Sequence, residues 1–183
     1  MSERRGFPFR LTVPSVARRV ADYLARLEEA GAPFHLYIET PVEMETQEQQ
    51  IEMMAAVRQA LRKIGSPVKL VVDEWCHTID DLKRFAAAGS IDVYHIKMPD
   101  VAAIDECIQS ILVCKQLNIE PYLGGSCNET DGSARLTAQI GLATSPGMML
   151  AKPGMGLDEG IMIMRNEMSR VLAVMAARNQ KQP

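Results

Sequence analysis

The sequence predicts an α/β fold with a parallel sheet, on three observations. Short apolar runs alternate with longer amphipathic ones along most of the 183 residues. One helix opens the series and five strand–helix units follow, the alternation that places neighbouring strands parallel. No Ser/Pro/Gly-rich linker interrupts it, so residues 14–178 read as one domain between a divergent segment 1–13 and a polar tail 179–183. The pattern fits an open doubly wound sheet or part of a TIM-type (β/α) barrel. An open nucleotide-binding sheet would carry a phosphate loop, yet no GxGxxG follows the first strand and no GxxxxGK[ST] occurs anywhere.

The elements follow in order. Pro14 near the start, Val16, Val20, Leu24 and Leu27 on one face, and Gly31 at the end define the first helix. Phe34 to Ile38 is rich in β-formers. Thr46 caps a second helix, with Gln49 as its capping-box partner, stripe residues Ile51, Met54, Val57, Leu61 and Ile64, and a stop at Gly65. Val68 to Val72 reads as a strand, Thr78 to Ala88 as a helix closed by Gly89, and Ile91 to Ile96 as the third strand. Val101 to Leu117 is helical through Ile104, Ile108, Ile111 and Leu112. Ile119 to Leu123 is the fourth strand, and a helix through Leu136 and Ile140 follows it. Met148 to Ala151 is the fifth strand, and the last helix carries Met164, Met168, Val171, Leu172 and Met175.

Composition narrows the function. A net charge of −3 and a pI near 5.7 argue against a nucleic-acid partner. No apolar run reaches membrane-span length and the first residues lack a signal peptide, so a cytoplasmic protein is expected. The four cysteines, Cys76, Cys107, Cys114 and Cys127, form no CxxC pair and are expected as reduced thiols, with Cys107 and Cys114 buried on a helical stripe. The twelve methionines read mainly as core filling.

The strand ends carry the chemistry. In a barrel the reacting groups sit just after each strand, and here those positions hold Glu39, Asp73 with Glu74, Lys97, Gly124-Gly125-Ser126-Cys127 and Lys152. Taken singly, each fits a cap, a turn or a solvated loop charge. Together, two carboxylates and a lysine on successive strands suit a hard divalent cation beside an amine base. Removing a proton next to a carboxylate builds a second negative charge, which a bound cation stabilises. An ammonium near that cation is disfavoured, which frees the amine to act as a base. His95 alternates with Lys97 and shares its side of the strand, so it is a candidate substrate contact.

The segments Val71-Val72-Asp73-Glu74-Trp75-Cys76, His95-Ile96-Lys97-Met98-Pro99-Asp100, Gly124 to Thr130 and Lys152-Pro153-Gly154-Met155-Gly156, with Leu36-Tyr37-Ile38-Glu39, resemble methylaspartate ammonia-lyase, a member of the enolase superfamily. The resemblance runs in order from about residue 14 to the last helix. It implies about five C-terminal βα units of an enolase-superfamily barrel, without the capping domain and first strands. It also implies a carbon–nitrogen lyase of glutamate fermentation and amino-acid degradation that converts 3-methylaspartate to mesaconate and ammonia. Mg²⁺, a monovalent cation such as K⁺ and a homo-oligomer are the implied cofactors and assembly. Glu39 and Asp73 would be metal ligands and Lys97 the base that takes the C3 proton. Ser126 and Cys127 would contact the substrate carboxylate, and Leu150 would border its methyl. His95 stands where the family normally carries Gln, and Ser126 where it carries Thr. A further metal carboxylate and an opposing histidine would come from a complementing N-terminal chain or missing N-terminal part, since Glu3 is the only acid near the expected place. The alternatives are a non-catalytic remnant or interaction subunit, or another enolase-superfamily dehydratase or racemase.

Overall fold

Each helix carries the chain back to the start of the next strand, so all strands run the same way. The computed structural model describes residues 12–98, 103–127, 129–150 and 154–180. In chain order the elements are α1 (Val13–Gly31), β1 (Tyr37–Glu39), α2 (Gln47–Lys63), β2 (Lys69–Val72), α3 (Ile79–Ala87), β3 (Val93–Ile96), α4 (Ile104–Gln116), β4 (Glu120–Leu123), α5 (Asp131–Thr144), β5 (Met148–Met149) and α6 (Leu157–Asn179). The strands pair in parallel in the order β1-β2-β3-β4-β5. The result is a partial (β/α) barrel, as the sequence predicts, and not a doubly wound sheet.

Three threonines set the rim. Thr46, Thr78 and Thr130 each accept a hydrogen bond from the backbone N–H three residues on, in Gln49, Asp81 and Ser133. These caps satisfy first-turn N–H groups and start α2, α3 and α5 at the ends of the preceding strands. At the opposite helix ends Gly65 and Gly89 take φ +72° and +62°, a left-handed turn that glycine adopts without strain.

Alternation divides the strands between two layers. Leu70, Val72, Tyr94, Ile96 and Leu123 face the helices and pack in one buried cluster with Met54, Val57, Leu61, Leu82, Phe85, Ile111 and Cys114. Burying a side chain of this size contributes roughly 1.5–3 kcal/mol against the entropy of ordering the chain. Cys76, Cys107 and Cys114 are buried, and Cys127 is exposed. The other face of the strands points into the half-barrel.

Sequence and structure differ at the margins. The strands are shorter than the apolar runs, and β1 begins at Tyr37 and not at Phe34. Leu27, Ile64, Leu112, Leu172 and Met175 are exposed, although periodicity places them on buried stripes. For α6 the reason is that only its first half packs: its buried residues are Gly160, Met164 and Glu167. Of the methionines, Met53, Met54 and Met164 are buried, but Met162 and Met175 are not. Glu3, Val101, Lys152 and the end of the tail lie outside the described residues. Among the described residues no helix is long and apolar enough to cross a membrane.

Candidate metal and proton-transfer site

Strand register decides which side chains meet inside the half-barrel. Tyr37 pairs with Lys69, Glu39 with Val71, Val71 with Val93, and His95 with Tyr122. Since side chains alternate, Tyr37, Glu39, Lys69, Val71, Val93, His95, Glu120 and Tyr122 share the inner face. Asp73 and Lys97 continue it just past the ends of β2 and β3. Lower in this face, Lys69 Nζ donates to Glu120 Oε2 at 2.5 Å and to the Tyr37 hydroxyl at 3.3 Å, which in turn donates to Glu120 Oε1 at 3.4 Å. That layer closes the floor and raises the Lys69 pKa, chiefly through its bond to Glu120.

Above the floor the predicted residues converge. Lys97 Nζ donates to Asp73 Oδ2, with the Lys97 side chain 21% and the Asp73 side chain 9% exposed. His95 Nδ1 lies 3.2 Å from Glu39 Oε2. Among the described residues neither buried ring nitrogen has an aligned hydrogen-bond partner. The facing imidazole holds the Glu39 carboxyl below the usual carboxylate range, outweighing the opposing effect of burial. Asp73 goes the other way: burial raises its pKa, and the Lys97 ammonium offsets only part of that.

One ligand atom each from Glu39, Asp73 and His95 lies within 4.8 Å of the other two, the one such group among the described residues. A cation with bonds of roughly 2.0–2.6 Å bridges donors about 3–5 Å apart. The donor chemistry therefore fits a divalent ion, with two oxygens from Glu39 and Asp73. Leu150 closes the inner face beside this group, its N–H donating to Leu123 O at 3.0 Å. It shares a cavity of about 450 Å³ with Glu39, Val71 and Tyr122. Ser126 and Cys127 lie on the loop after β4, where the Ser126 N–H donates to the Glu129 carboxylate at 3.2 Å. Gly154, at φ +78°, packs on the Cys127 carbonyl so closely that a Cβ there would fall 2.5 Å from its oxygen. His35 and His77 are exposed.

One residue of the site, Tyr122, escapes the sequence reading, and Gly124 is read there only as part of a turn. Tyr122 stacks on His95 with ring centroids 4.5 Å apart and planes 15° apart. Gly124 does more than turn the chain, because a Cβ there would lie 1.8 Å from His95 Nε2. Both sit at i and i+2 on the β4 line, the alternation that relates His95 to Lys97, and that spacing was the available signal.

Comparison with known proteins shows what the chain is similar to. Residues 11–177 match the family described as methylaspartate ammonia-lyase C-terminus. Methylaspartate ammonia-lyase 1 of Carboxydothermus hydrogenoformans is 50% identical over 157 residues, covering 86% of this chain and 37% of the relative. A crystal structure of Citrobacter amalonaticus methylaspartate ammonia lyase containing (2S,3S)-3-methylaspartic acid superposes with a TM-score of 0.83 at 43% identity, covering 87% of this chain and 39% of that one. Clostridium tetanomorphum β-methylaspartase, solved as a Mg complex, gives 0.81 at 42% identity, covering 90% of this chain and 40% of that one. The chain thus spans about two fifths of the length of these relatives. By profile, identity and fold, it belongs to the methylaspartate ammonia-lyase family and corresponds to the C-terminal part of its members.

Proposed function

We propose that this chain supplies the metal- and base-bearing part of an enzyme that eliminates ammonia from 3-methylaspartate to give mesaconate. The observation that carries the reading is the pairing of Lys97 with Asp73 beside Glu39, at the C-terminal ends of three successive strands. Glu39 and Asp73 would hold Mg²⁺, whose charge would stabilise the second negative charge developing on the substrate carboxylate. Lys97 takes the C3 proton, the C3–H electrons form the C2=C3 double bond, and the C2–N bond breaks to release ammonia. Ser126 and Cys127 bind the substrate carboxylate, and Leu150 packs on its methyl. K⁺ as a second cation rests on the family resemblance alone.

The remaining metal acid and the opposing acid–base group would come from a complementing N-terminal chain or N-terminal part. Two features support this. Among the described residues β1 pairs only with β2, which leaves an open strand edge directly beside Glu39. Next to it a cleft of about 620 Å³ is lined by Val16, Val20, Tyr23, Leu27 and Ile38, together with Arg19 and Arg26. The test is mesaconate absorbance from 3-methylaspartate and Mg²⁺, with the purified chain alone and co-expressed with the N-terminal half of a relative. Turnover only in the complemented sample is the expected result. Absence of turnover in both would replace the lyase reading with a non-catalytic interaction subunit.

A further inference from the structure

Within that proposed site, we infer that His95, a candidate substrate contact by its sequence position, is instead a third protein ligand, which gives the site a nitrogen donor and a preference for transition-metal dications. Two carboxylates alone would not carry this; the state of the imidazole does. His95 is 7% exposed, and neither ring nitrogen has a hydrogen-bond partner. Leaving a buried polar group in that condition is unfavourable, because it has given up its bonds to water. Its ring is also fixed. Tyr122 stacks on one face and the Nε2 edge lies over Gly124, so Nδ1 is the nitrogen directed at the carboxylates. It stands 3.2 Å from Glu39 Oε2, and a ring nitrogen of His95 lies within 4.8 Å of an Asp73 carboxylate oxygen. A misaligned, buried, immobilised imidazole facing two acids is better satisfied by an ion between them than by either acid. Imidazole suits Zn²⁺, Ni²⁺ and Fe²⁺, whereas Mg²⁺ requires oxygen donors and keeps its waters.

The inference rests on the metal reading of this site but fails separately from it. Titration calorimetry with Ni²⁺ and with Mg²⁺ on the purified chain and on His95→Gln reads it out. The expected result is a 10- to 100-fold loss of Ni²⁺ affinity in the variant, with Mg²⁺ affinity changed less than about threefold. A second measurement needs no variant: in ¹⁵N-histidine-labelled chain, Zn²⁺ should move the His95 Nδ1 resonance and leave those of exposed His35 and His77 in place. Equal Ni²⁺ affinity in both proteins, or an unmoved His95 resonance at Zn²⁺ saturation, overturns the ligand assignment. If either occurs while the complemented enzyme still forms mesaconate with Mg²⁺, the lyase reading stands and only the ligand is wrong.

Discussion

The imidazole of His95 fills the space that any side chain at Gly124 would need, since a Cβ there would fall 1.8 Å from Nε2. Gly124→Ala must therefore displace the ring from its stack on Tyr122. Overpacking of this kind costs about 1–3 kcal/mol, and about 2–4 °C in melting temperature per kcal/mol at this chain length. Thermal unfolding should show that loss. An unchanged melting temperature would mean the ring moves aside freely.

Lys97→Ala removes the proposed base and leaves the Asp73 carboxylate without its ammonium. In the complemented enzyme the rate of mesaconate formation should drop about 100- to 10,000-fold. A variant that kept the full rate would move the base elsewhere.

Asp92 ties three elements together at the start of β3. Its carboxylate accepts from Arg58 Nε at 2.8 Å and from the Leu70 backbone N–H at 3.1 Å. Asp92→Ala strands both donors and should cost about 2 kcal/mol, the scale of hydrogen bonds to a charged group. Asp92→Asn keeps an acceptor for Leu70 and should cost less, with urea midpoints ranking the two.

Glu167 joins α5 to α6. Its side chain is 1% exposed and accepts from Arg170, from Gln139 Nε2 at 2.7 Å and from Arg135 at 3.4 Å. Arg170 first, and then Gln139, hold its pKa down to about 2. A carboxyl depressed on folding stabilises above its unfolded value and loses that contribution as pH falls through the folded one. The melting-temperature gap between wild type and Glu167→Gln should thus be full at neutral pH and close between about pH 4.5 and about 2. A gap that ignores pH would assign the effect to packing.

What the sequence made legible follows from periodicity. Glu39, Asp73 and Lys97 each follow a short apolar run, so their common rim is legible in the sequence alone. The sequence also placed Thr46 as a cap and began the next helix at Thr78. It failed where packing depends on neighbours: Leu172 and Met175 have the spacing of a buried stripe, yet they lie beyond the part of α6 that meets α5. It also undervalued His95. Alternation gives the side a residue faces, but only the register of β3 with β4 shows Tyr122 and Gly124 immobilising the ring.

The sequential order of the strands has a kinetic meaning. Among the described residues each strand pairs with the one immediately before or after it along the chain, so none of these pairings waits for a distant segment to return. Loop closure stays cheap at each step, and the sheet can grow outward from any assembled pair as a zipper does. Further units could join at β1 or β5 without rethreading what has already formed.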